Sequence, residues 1–71
     1  MSAAQERLGK RIKRAREAKG LSLRGLADIL SIDHALLFRI ETAAIDPKWS
    51  LVSRLEKTLD LDLRSASRGN Q

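Results

Sequence analysis

The sequence predicts an all-α fold: one compact domain of four or five short helices, with a short C-terminal strand left open. Three observations carry that reading. Apolar residues recur at helical spacing along most of the chain. Turn signals at Gly20, Ser31-Ile32 and Asp46-Pro47 cut the periodic run into short pieces. The length of 71 residues allows only one domain.

Leu8, Ile12 and Ala15 follow i, i+4, i+7 spacing and predict an amphipathic helix over about residues 4–19. Gly20 closes it as a left-handed cap. Ser22 caps a second helix that buries Leu23 or Leu26 with Ala27 and Leu30. Gly25 inside that helix costs about 1 kcal/mol relative to alanine. Asp33 caps a third helix running to about Thr42. Pro47 stands at the opening of a fourth, in which Trp49, Val52, Leu55 and Leu59 keep helical spacing around the polar Glu56. The period then changes. Leu59, Leu61 and Leu63 alternate with Asp60, Asp62 and Arg64, a strand-like pattern. The domain is expected to span residues 1–63, and residues 64–71 to form a polar tail.

Composition narrows the function. With no cysteine there is no disulfide or thiolate metal site, and a single histidine leaves no set of ligands for structural zinc. A chain this short buries a small core, so a partner subunit is the expected source of extra stability. No apolar run approaches the roughly 18 residues that span a bilayer, and no signal-peptide core follows Met1, so a soluble cytoplasmic protein is expected. An enzyme is not expected, because one histidine, no cysteine, no glycine-rich phosphate loop and no paired carboxylates in an obvious cleft leave little to assemble. Neither a cofactor nor a metal is expected.

Charge is the informative feature. The net charge is +5, and residues 1–24 hold eight basic side chains (Arg7, Lys10, Arg11, Lys13, Arg14, Arg16, Lys19, Arg24) against Glu6 and Glu17. The remainder is nearly neutral. One basic end on a neutral body points to a polyanion, with nucleic acid first. The plainer alternative is a solvated helix face.

About three residues separate the second and third helices, the spacing of a helix-turn-helix, whose second helix lies in the major groove of DNA. Taken in order, "LGKRIKRAREAKGLS", "LAD", "FRIE" and the proline that opens another helix resemble the phage-repressor and Cro type of helix-turn-helix domain, with its lambda-repressor-like fold. The resemblance covers about residues 8–59. It implies that Ala27 lets the two helices approach and that Ile32, Leu37 and Ile40 are core. It implies that Arg16 and Glu41 form an ion pair joining the first helix to the recognition helix, a role suited to bidentate arginine–carboxylate geometry. It also assigns DNA contacts to Ser22, Arg24, Asp33, His34, Ala35, Leu36, Arg39 and Lys48.

The sequence departs from that pattern at Leu23, where a glutamine is common, at Ser31, where a glycine often makes the turn, and in "TAAID", which lacks a basic residue. On a helical wheel Leu37 and Ile40 face the core and Leu36 lies on their flank. Arg39 is the best reader, able to fork onto guanine, while Ala35 and Leu36 can touch thymine methyls. Phe38 points roughly opposite the core and is expected to cover the neighbouring loop or Trp49.

The expected function is sequence-specific binding of double-stranded DNA by a transcriptional regulator, a repressor acting as a homodimer. The alternative is a helix-turn-helix antitoxin that binds a toxin protein and represses its own operon. A domain that binds only protein is a third reading, favoured by the apolar Leu36 and Phe38. The dimer contact is expected at Leu59, Leu61 and Leu63, paired across a two-fold axis as a strand.

Overall fold

The computed structural model describes residues 3–63 and forms four helices: α1 (Ala3–Ala18), α2 (Leu23–Leu30), α3 (His34–Glu41) and α4 (Trp49–Leu59). Residues 64–71, read as a polar tail, lie outside the described residues. The helical spacing of the sequence maps directly onto the core. Leu8 and Ile12 of α1, Leu26, Ala27 and Leu30 of α2, Leu37 and Ile40 of α3, and Val52, Leu55 and Leu59 of α4 form one buried cluster. Each large aliphatic side chain removed from water in this way contributes about 1.5–3 kcal/mol. α1 packs against α3 and α4, and α2 packs against α3. Arg54 on α4 adds a polar tie by donating from Nη2 to the Leu30 carbonyl at the end of α2.

A left-handed residue follows every helix, directly at Ser31 (φ 57°) and Asp60 (φ 57°) and one residue later at Gly20 (φ 71°) and Ala43 (φ 63°). That turn lets the next amides reach back to carbonyls the helix leaves unpaired. Leu21 N–H donates to Arg16 O at 3.1 Å, Ile32 N–H to Ala27 O at 3.0 Å, Ala44 N–H to Arg39 O at 2.8 Å, and Leu61 N–H to Glu56 O at 3.1 Å. Leu21, Ile32 and Leu61 also pack their side chains on the core, the apolar contact that accompanies this cap. Three of the four left-handed residues carry a Cβ, at a cost of about 1–2 kcal/mol each.

The same cap corrects the reading of the chain's end. No strand is found among the described residues, and the alternation from Leu59 to Leu63 is the exit from a helix. Leu59 closes α4, Asp60 turns left-handed, and Leu61 folds back as the capping contact. Leu63 then enters the core, 0% exposed, while its N–H donates to Glu56 Oε2 at 2.9 Å. Leu59 and Leu63 therefore lie in the chain's own core, and only Leu61 of the three keeps surface. Leu63→Ala should cost about 2–5 kcal/mol of stability and leave the dependence of the urea midpoint on protein concentration as it is in the intact chain. A change in that dependence would place this side chain in a contact between subunits.

Candidate nucleic-acid interface

α2, the Ser31 turn and α3 form the helix-turn-helix, and local chemistry fixes both helix starts. Ser22 Oγ accepts from Gly25 N–H at 2.9 Å and opens α2. Asp33 Oδ1 accepts from Ala35 N–H at 2.9 Å and opens α3. The Asp33 carboxylate thus occupies the positive end of α3, where a phosphate would otherwise be attracted. His34 Nδ1 lies 3.7 Å from Asp33 Oδ1, beyond hydrogen-bond range, and its side chain stays about half exposed. The N-terminus of α2 carries no acid, and exposed Arg24 stands in its first turn, so of the two motif helices α2 has the more positive start.

Leu37, Ile40 and Glu41 form the buried side of α3. Rotating by about 100° per residue, the opposite side carries Ala35 and Thr42 at its centre, flanked by Phe38 and Arg39. Arg39 is exposed and joined in no ion pair among the described residues. Thr42 has its hydroxyl committed, donating to the Phe38 carbonyl at 2.8 Å. Leu36 lies on the other flank, half-buried against the core, in the wall of an apolar groove shared with Ile32, Ile40, Ile45 and Leu51. Lys48 is exposed at the N-cap of α4, where its side chain makes no capping bond. Ser22, Arg24, His34, Arg39 and Lys48 thus reach solvent around the motif, whereas Ala35 and Leu36 are partly covered.

Phe38 departs from expectation. Its side chain is left 55% exposed, as is Trp49 at 49%. The reason is the path of the chain after α3. The left-handed Ala43, itself buried, sends Ile45 and Pro47 to the Leu36 flank, and Phe38 sits about 160° round the helix from Leu36.

Behind this face, α1 holds α3 by two contacts. Arg16 Nε donates to Glu41 Oε2 at 2.7 Å and Nη2 donates to Oε1 at 3.0 Å, a bidentate fork. The remaining nitrogen, Nη1, donates to the Leu21 carbonyl at 3.0 Å, tying the start of the α1–α2 turn to the same guanidinium. The hydrogen bonds to Glu41 raise the Arg16 pKa above its ordinary value, against the opposing effect of burial. No buried side-chain nitrogen or oxygen among the described residues is left without a partner. The second contact is Gly9, which is buried. A Cβ there would stand 2.5 Å from the Glu41 carbonyl oxygen and 2.7 Å from that of Ile40. Sequence reasoning passed over Gly9, although a glycine within a helix, at about 1 kcal/mol against alanine, is itself a signal of close packing.

A family model described as a helix-turn-helix domain matches residues 7–66, most of the chain. The chain belongs to this family. No curated protein and no solved structure gives a match. The chain is thus a helix-turn-helix DNA-binding protein, in which α2 and α3 are the two packed helices of the motif. No helix among the described residues is long and apolar enough to cross a membrane.

The close approach at Gly9 gives a sign test for this helix-turn-helix domain. Gly9→Ala raises helix propensity, yet it should lower stability by about 1–3 kcal/mol through the clash with α3. Arg16→Ala and Glu41→Ala should each cost about 3–5 kcal/mol, because either leaves a buried charge unpaired. Their double-mutant cycle, followed by urea unfolding, should give a coupling above the roughly 0–1 kcal/mol of exposed pairs. Additive effects would mean the pair does not join the helices.

Proposed function

We propose that this protein is a sequence-specific transcriptional repressor of the phage-repressor and Cro type, binding double-stranded DNA as a cytoplasmic homodimer. The observation that carries the reading is the outward face of α3, with Arg39 unpaired and exposed on a helix anchored from behind by Gly9 and Arg16. Arg39 forks onto guanine O6 and N7 in the major groove. His34 and Ala35, in the first turn of α3, meet the base edges alongside it. Ser22, Arg24 and the free amides at the start of α2 hold one phosphate, and Lys48 holds another. Asp33 serves as the α3 cap and keeps phosphates away from that helix end. The basic α1 supplies long-range attraction to the duplex.

Two-fold symmetry would place two α3 helices about 34 Å apart, one turn of the duplex. Of the C-terminal leucines only Leu61 remains as a surface for that contact, and half-exposed Trp49 extends the exposed apolar surface of α4. Repression follows from occupancy of the operator.

One observation favours a second reading, an antitoxin that also grips a toxin protein. The groove between α3 and α4 is apolar, and Trp49 stands exposed between two of its lining residues, Lys48 and Ser50. Co-purification with a toxin encoded beside this gene would select that reading.

Selection of bound duplexes from a random pool tests DNA recognition directly. Affinity for the selected site should fall steeply with added salt as counterions are released. Arg39→Ala should cost about 1–3 kcal/mol on that site and relax the preference at one base pair. Uniform weakening across all sequences would make Arg39 a phosphate contact, and salt-insensitive binding would rule out the DNA reading.

A further inference from the structure

We propose that Phe38 is a specificity-determining residue that reads the 5-methyl group of thymine in the major groove. The proposal rests on the DNA-binding reading above and names what the apolar part of the recognition face recognises. Phe38 is one of the few large apolar side chains left in solvent, 55% exposed, and it projects from the helix that enters the groove. Its position is set from behind. The face carrying Leu37, Ile40 and Glu41 is fixed to the core and to Arg16, so Phe38 cannot rotate inward without breaking the bidentate pair.

The surroundings decide between a base and a protein as its target. Along the outward side of α3, Phe38 is accompanied by His34, Ala35, Arg39 and Thr42, one small residue and three polar ones. A protein-docking surface needs a contiguous apolar patch, and this side of the helix supplies a single ring in a polar frame. Half-buried Ala35, one turn earlier, leaves room for a flat surface to approach. Arg39 lies about 100° from Phe38 on the same outward half, so a guanine bound by Arg39 brings the neighbouring base step beneath the ring.

Among base edges in the major groove, thymine alone presents a methyl group, and an exposed phenyl ring offers it contact without polar competition. Leu36, the other apolar candidate, has its side chain committed to the groove wall on the opposite flank. The consequence is a thymine preference beside the guanine read by Arg39. Removing one buried methyl is worth about 0.8 kcal/mol, or about fourfold in affinity.

The test uses the full chain and a duplex it selects from a random pool, with each thymine replaced in turn by deoxyuridine, which lacks only the methyl. The intact protein should lose about fourfold at one thymine of each half-site. Phe38→Ala should bind the thymine duplex more weakly and show no further loss on the deoxyuridine duplex. Phe38→Leu and Arg39→Ala should both retain the deoxyuridine penalty. Thermal unfolding checks that each variant is folded, which the exposure of Phe38 favours. Indifference of the intact chain to every deoxyuridine replacement overturns the proposal, as does a penalty unchanged in Phe38→Ala. Failure of the intact chain to select any duplex overturns the DNA-binding reading itself, and this assignment with it.

Discussion

The joint between α1 and α3 is the constraint on which the rest of the structure depends. α3 has only eight residues, too short to be stable alone, and its outward side gains nothing from the core. Its orientation therefore has to be imposed from behind. Gly9 does this sterically, letting the backbone of α1 meet the carbonyls of Ile40 and Glu41, and Arg16 does it by directional hydrogen bonds to the Glu41 carboxylate. One contact sets the distance and the other sets the rotation. A buried ion pair adds little net stability relative to an apolar pair of the same shape, so its value here is geometric. The same guanidinium holds the Leu21 carbonyl, which fixes where α2 begins.

The left-handed turn that ends each helix is the second recurring device. It brings an apolar residue back onto the core at Leu21, Ile32 and Leu61, so short connections still add to the buried cluster. The use of Ser31, Ala43 and Asp60 at those positions stores strain that glycine would relieve. At Ser31 the strained residue lies inside the helix-turn-helix itself, where the turn sets the angle between α2 and α3. At Ala43 a buried methyl offsets part of the cost. Stability is thus spread over many small contacts, as expected of a domain with no disulfide and a small core.

Helix positions and most of the core were legible because the signals are local. Leu8 and Ile12 recur at helical spacing, and Gly20, Ser22 and Asp33 carry their capping chemistry in their side chains or the lack of one. The end of α4 was misread because a two-residue apolar period fits two structures. A strand and a helix exit through a left-handed residue both place leucines at alternate positions, and only the backbone angle of Asp60 separates them. The Arg16–Glu41 pair could not come from spacing, since 25 residues separate the two, and only the family resemblance pointed to it. The exposure of Phe38 depends on which flank the α3–α4 loop covers, a property of the chain path that periodicity does not contain. Phe38 is therefore open to solvent on α3, whereas Leu36 packs against the core.

The central claim is that DNA meets the outward side of α3 while the joint behind it stays fixed. Amide chemical shifts followed during titration with a selected duplex test this residue by residue. The largest changes should fall on Arg24, Ala35, Phe38 and Arg39, with Gly9, Ile12 and Leu55 nearly unmoved. Changes concentrated along the groove from Ile45 to Arg54, with Ala35 to Arg39 still, would contradict it and move the working surface to the α3–α4 groove.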